Sequence, residues 1–192
     1  MPSRDRAKSI DARSGEADGR ESRSVTRTSD YLVPDLLEPD LKLVFCGTAP
    51  SKASAAARAY YAKPGNRFWP TLHNVGLTPH RFQPRDYPEL LRLGIGLTDL
   101  CKVHSGTDEQ LPPDAFDLPV LMGKIEKYRP AIVAFTSKNA GQTLLQRKAE
   151  YGLQPDTIGA TRLFILPSPS GLATKFWDEH WWRELARLVK TR

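Results

Sequence analysis

The sequence predicts a three-layer α/β/α domain built round a central, mostly parallel four-stranded sheet. Two observations carry this expectation. Four short apolar runs rich in Val, Ile, Leu and Phe alternate along the chain with stretches of helical pattern. The chain of 192 residues is 40% hydrophobic and 26% charged, enough for one medium domain and too short for two ordinary ones.

The runs Leu41–Cys46, Gly94–Leu100, Ala131–Phe135 and Leu163–Leu166 are bounded by Gly, Pro or polar residues, as buried parallel strands are. Between them Arg67–Val75, Tyr87–Leu93, Leu118–Tyr128 and Lys138–Arg147 read as helices. The chain closes on an amphipathic helix. Trp181, Leu185, Leu188 and Val189 share one face, opposite Arg183, Glu184, Arg187 and Lys190, and Asp178 is placed to cap its start.

In sheets of this kind, ligands bind outside the carboxyl ends of the strands. Here those ends run into Cys46-Gly47-Thr48-Ala49-Pro50-Ser51, Thr98-Asp99-Leu100-Cys101-Lys102, Thr136-Ser137-Lys138-Asn139 and Pro167-Ser168-Pro169-Ser170-Gly171-Leu172. Any one is an ordinary tight turn. Four together, with small residues that let backbone N–H groups approach a ligand, point to a site.

The first thirty residues differ from the rest. Met1–Asp30 contains no Leu, Phe, Trp or Tyr and holds seven bases and six acids, so it is expected to be a disordered polar tail. Residues 31–192 form the expected single domain. They keep 21 bases and 16 acids, most of the chain's formal +6, a tilt that suits a polyanionic partner. No apolar run approaches the length of a membrane span, and the first 25 residues lack the apolar stretch of a secretory signal. Cys46 and Cys101 cannot build a disulfide framework or a four-cysteine metal site, and His73, His80, His104 and His180 form no i, i+4 pair. No Walker-type loop and no Gly-x-Ser-x-Gly elbow occurs. A cytoplasmic protein without metal or cofactor is expected.

Three blocks resemble a known family. Val44-Phe45-Cys46-Gly47-Thr48-Ala49-Pro50, Tyr61-Ala62-Lys63-Pro64-Gly65-Asn66-Arg67-Phe68-Trp69 and Leu166-Pro167-Ser168-Pro169-Ser170-Gly171-Leu172 look like the mismatch-specific uracil-DNA glycosylases of the uracil-DNA glycosylase superfamily. The likeness spans about Leu41 to Val189. It implies a monomeric, monofunctional base-excision-repair hydrolase that flips uracil, or a similar damaged base, out of DNA and leaves an abasic site.

The resemblance also distributes roles. Tyr61 falls where relatives stack an aromatic on the flipped base, with Tyr60 its neighbour and competitor. Leu172 falls at the wedge that fills the emptied place in the duplex, and an apolar residue on a Ser/Gly/Pro loop has little structural reason to be there. Ser170 and Gly171 offer N–H groups to DNA. Lys175 supplies charge where many relatives place an arginine directly after the wedge. Gly47, Thr48, Ser137 and Lys138 are candidate partners of the base, whose departure leaves negative charge on it. Ser168 stands in place of an asparagine and can donate only one hydroxyl bond. Asn66 and Arg67 lock the loop.

One departure bears on the chemistry. Ala49 occupies the position where relatives carry asparagine, aspartate or glutamate, and a methyl group cannot orient or deprotonate water. Asp99, at the neighbouring strand end, is the best substitute; its plainer reading is a turn or cap aspartate before Val103–Gly106. His104 is the outside candidate. The alternative function is a module that binds lesions or abasic sites without cutting. An enzyme of free nucleosides would have no use for Leu172 or for the basic surplus.

Overall fold

The computed structural model describes residues 28–191. Strands β1 (Leu43–Gly47), β2 (Ile95–Asp99), β3 (Ile132–Phe135), β4 (Gly152–Ile158) and β5 (Thr161–Ile165) form one sheet in the order β2-β1-β3-β5-β4. All neighbours are parallel except β4 and β5. The sheet therefore has five strands, not the four expected. The fifth, β4, reads Gly-Leu-Gln-Pro-Asp-Thr-Ile, with Leu153 and Pro155 exposed and a register shift between Leu153 and Thr157. A proline is tolerated only on an edge, and an edge strand with one solvated face needs no apolar run to signal it.

Alternation along the strands sends side chains to two cores. Leu43, Phe45, Ile95, Leu97, Ala134 and Phe164 face one cluster, and Val44, Cys46, Val133, Phe135, Leu163 and Ile165 the other. Helix α2 (Phe68–Asn74), the 3₁₀ stretch Pro84–Leu93 and α5 (His180–Lys190) cover the first face; α3 (Leu118–Tyr128) and α4 (Lys138–Leu145) cover the second. The three layers follow. At the centre of the first core Phe45 stacks on the fully buried Trp182 at 5.7 Å and meets Phe68 edge-on at 5.1 Å.

The caps explain where the helices begin. Ser51 accepts from the N–H of Ser54 to open the short α1 (Lys52–Ala57), an alanine-rich helix that the apolar pattern does not announce. Asp117 accepts from Val120 N–H at α3, and Ser137 from Ala140 N–H at α4. Asp178 accepts from His180 N–H, one residue before the cap position of α5. The tail expected at Met1–Asp30 falls mostly outside the described residues; Thr28–Asp30 make one 3₁₀ turn.

Residues 31–37 then run along the free edge of β2. Leu36 and Leu97 exchange both backbone hydrogen bonds at 2.9 Å, and Leu32 N–H donates to Lys102 carbonyl. This covers a sheet edge that would otherwise offer unpaired groups, and it carries Asp35 under the site. The approach requires Gly96, where an added Cβ would lie 2.6 Å from Leu36 carbonyl oxygen. Gly96→Ala is expected to destabilise the fold by about 1–3 kcal/mol, read as a lower urea midpoint; an unchanged midpoint would show that the segment is free to move away.

Candidate active site at the carboxyl ends of the strands

In the order β2-β1-β3 the chain leaves β1 to one side and later returns to the other, so the carboxyl ends of β1 and β3 flank the switch point of the sheet. A cleft of about 1160 Å³ opens there. The turn after β1, Tyr61, Asp99, Thr136, Ser168 and Leu172 all contribute to its wall. Of the residues expected at the site, Gly47, Thr48, Ala49, Ser137, Lys138 and Ser170 line it too.

The floor is built by β1 and β2 in register, with Gly47 opposite Asp99. Past the strands the pairing continues through Leu100 N–H to Gly47 carbonyl at 2.9 Å and Cys101 N–H to Thr48 carbonyl at 2.8 Å. Asp99 leans across this pair. A Cβ at Gly47 would collide with its Oδ1, so glycine is required for the carboxylate to lie over the strand end. Asp99 is 4% exposed, and its Oδ2 accepts no hydrogen bond among the described residues.

Beneath it sits an ammonium group almost wholly out of water. Lys102 Nζ donates to Tyr60 hydroxyl at 2.7 Å, pairs with Asp35 Oδ1 at 2.9 Å, and stands 3.8 Å from Asp99 Oδ2. Lys124 Nζ reaches Asp35 Oδ2 at 2.6 Å, and Thr98 hydroxyl donates to Asp35 Oδ1. The two carboxylates therefore differ. Burial opposes the charge of both, but for Asp35 the paired ammonium groups of Lys102 and Lys124 outweigh it and hold the carboxyl below the ordinary range. For Asp99 burial prevails over Lys102, with Asp35 adding repulsion, and the carboxyl is pushed up to about 6.

Tyr61 takes a left-handed backbone, φ 53°, which turns its ring back onto Phe68. The rings stack at 3.7 Å with 14° between their planes, and the Tyr61 hydroxyl lies 3.2 Å from Thr136 Oγ1. A non-glycine residue with positive φ carries a steric cost, and here two fixed ends hold the aromatic as a rigid plate. Burial and then the Asp99 charge push the Tyr61 phenol up, so it stays neutral. Tyr60 also borders the cleft, but its ring is buried in the core and its hydroxyl is engaged by Lys102.

The opposite wall is the loop Pro167–Leu172 and the 3₁₀ turn Gly171–Phe176. Arg67 clamps it. Its backbone N–H donates to Pro169 carbonyl at 2.8 Å, its guanidinium to Ser170 carbonyl at 3.1 Å and Thr174 hydroxyl at 3.2 Å, and the same group lies over Trp177 at 5.3 Å. Asn66 accepts from Phe68 N–H, fixing the start of α2. Ser168 Oγ accepts from Ser170 N–H at 3.3 Å, and Ser170 Oγ in turn from Leu172 N–H. Gly171 approaches the Gly65 carbonyl so closely that a Cβ would be 3.2 Å from its oxygen. Leu172 is left 70% exposed at the rim.

Other expected residues have local partners. Ser137 Oγ caps α4, and Lys138 Nζ pairs with Glu150 at 2.6 Å while lying over the Tyr151 ring. Lys175 and His104 are exposed and outside the cleft lining. Among the described residues no group of three His, Cys, Asp or Glu side chains is placed to hold a metal ion, and no helix is long and apolar enough to cross a membrane. Sequence reasoning missed Asp35 and Phe176 and gave no role of their own to Lys102 and Thr136, which it met only as members of the strand-end blocks. Lys102, three residues after Asp99 at a strand end, was the one with a signal to follow.

Two comparisons bear on this architecture. The family model of the uracil DNA glycosylase superfamily matches residues 34–186, most of the chain. The fold is similar to the solution NMR structure of a Methanosarcina acetivorans protein provisionally assigned as a uracil DNA glycosylase. The two share 23% identity with a TM-score of 0.58, over 82% of this chain and 96% of that one. That likeness speaks for the fold alone; the family model, which takes in all three sequence blocks, the cleft they enclose and the carboxylate on its floor, makes the chain a member of the uracil DNA glycosylase superfamily.

Proposed function

We propose that the protein is a DNA-repair glycosylase of the mismatch-specific type. It hydrolyses the N-glycosidic bond of uracil, or a similar damaged base, in flipped-out form and leaves an abasic site, with Asp99 in place of the polar residue missing at Ala49. The observation that carries this reading is the buried Asp99 carboxylate, set on the cleft floor beside Gly47 with one oxygen free of protein hydrogen bonds. A buried carboxylate with raised proton affinity on the wall of a cleft is the kind of group that functional sites hold.

In this scheme the base enters between the strand ends and stacks on the face of Tyr61 that Phe68 leaves uncovered, a contact contributing about 1–3 kcal/mol. Leu172 enters the duplex, and Ser170, Gly171 and Lys175 meet the DNA round it. The C1′–N1 bond breaks with its electron pair going to the base. N–H groups of the Gly47-Thr48-Ala49 turn and the Ser168 hydroxyl receive the charge that develops there, with the Ser137-Lys138 turn beside them. The ionised Asp99 faces the positive charge left on the sugar, orients a water molecule toward C1′ and takes its proton as the C–O bond forms. The departing base takes up a proton to leave as the neutral pyrimidine.

Ala49 supports a second reading, a module that binds lesions or abasic sites without cutting. A labelled oligonucleotide containing one uracil separates the two. The parent protein is expected to produce alkali-labile breaks, and Asp99→Ala to slow them by orders of magnitude with little change in DNA affinity. A mutant as fast as the parent would make Asp99 structural; no cutting by the parent at high protein concentration would select the module.

The reaction requires the carboxylate, so the single-turnover rate is expected to rise with pH through about 6, the value to which burial pushes Asp99. A rate that is flat between pH 5 and 7 contradicts the assignment.

The same shift has a cost in stability. A carboxyl whose folded pKa exceeds its unfolded value makes the native state bind more protons than the unfolded chain, so its contribution turns unfavourable as pH rises from about 4 to 6 and stays so above. Asp99→Asn is therefore expected to raise the melting temperature at pH 8, with the gain fading towards pH 4. Calorimetry at both pH values checks the sign.

A further inference from the structure

The 3₁₀ turn Gly171–Phe176 exposes two large apolar side chains, Leu172 at 70% and Phe176 at 63%. Both contribute to the cleft wall. The exposure of Phe176 is not slack in the loop. The next residue, Trp177, turns inward against the core and under the Arg67 guanidinium, and Thr174 is tied to that same guanidinium and to Gly171 carbonyl. The turn is fixed on both sides of a ring that it leaves outside. Lys175 Nζ stands 5.9 Å from the ring centroid, which places a cation beside an apolar plate. A nucleobase next to its phosphate presents the complementary pair of a flat ring and an anion.

We infer that Phe176 is a second apolar prong on duplex DNA, stacking on the base left opposite the everted one while Leu172 fills the vacated place. The inference rests on the reading that DNA with an everted base occupies the cleft. Aromatic stacking accepts every base, since each has a π-face, so this contact holds the opposite base whatever its identity and leaves any discrimination between mismatches to other groups.

The test is a double-mutant cycle on binding, using the full chain and duplexes that carry 2′-fluoro-deoxyuridine to prevent hydrolysis. The opposite position holds either adenine, guanine or a tetrahydrofuran abasic spacer. With either base opposite, Phe176→Ala is expected to weaken binding by about tenfold to a hundredfold; with the spacer opposite, by less than threefold. Phe176→Trp is expected to restore the parent affinity. An equal loss with and without the opposite base would overturn the inference by placing the ring elsewhere on the DNA. No loss on any duplex would overturn it too, and leave Phe176 to a protein partner. A parent that binds this way but never releases uracil from a cleavable duplex would remove the glycosylase reading and leave the stacking contact standing. A parent that cuts, with no coupling in the cycle, would do the reverse.

Discussion

The carboxylate of Asp99 lies over a strand end, almost out of water and incompletely partnered, and much of the molecule's arrangement is what makes that position tenable. Gly47 leaves room for it, Lys102 supplies an opposite charge without a direct hydrogen bond, and Asp35 with Lys124 neutralises what Lys102 would otherwise impose. An ammonium buried alone would be expelled or deprotonated. Held between two carboxylates of unequal burial, it binds the shallower one, Asp35, as a partner and leaves the deeper Asp99 without a hydrogen bond at Oδ2.

The two walls of the cleft solve a different problem, which is to keep apolar and aromatic groups rigid where they face solvent. Tyr61 is held by stacking at one end and a hydroxyl contact at the other. Leu172 cannot be held by packing, so the backbone beneath it is fixed instead, by Arg67 across more than a hundred residues of sequence. A single guanidinium gives both a planar set of donors to the loop and a face for Trp177. The Asn-Arg-Phe-Trp block thereby serves the loop before it serves any ligand.

Much of this was legible in the chain. Strands β1, β2, β3 and β5 are continuous apolar runs because both faces of the sheet are covered there, and all four were found. Leu172 stood out because an apolar residue is the wrong kind for a polar loop, whereas Tyr61 was marked only by the family resemblance. The edge strand β4 was missed because one solvated face and a proline erase the apolar run that marked the others. The helix Lys52–Ala57 was missed because alanines carry propensity but no amphipathic stripe.

What the sequence by itself determined is local: where chain segments turn inward, which turns are small enough to admit a ligand, and that the side chain of Ala49 has no polar atom to offer. Burial periodicity is written in neighbouring residues, so these can be read without knowing the sheet order. Only the tertiary structure decided that β2 lies beside β1, that Asp35 crosses below Lys102, and that Asp99 therefore sits over Gly47 with a raised affinity for protons. The charge state of a buried group is set by the distance and desolvation of partners distant in the chain, and no spacing along the sequence encodes that.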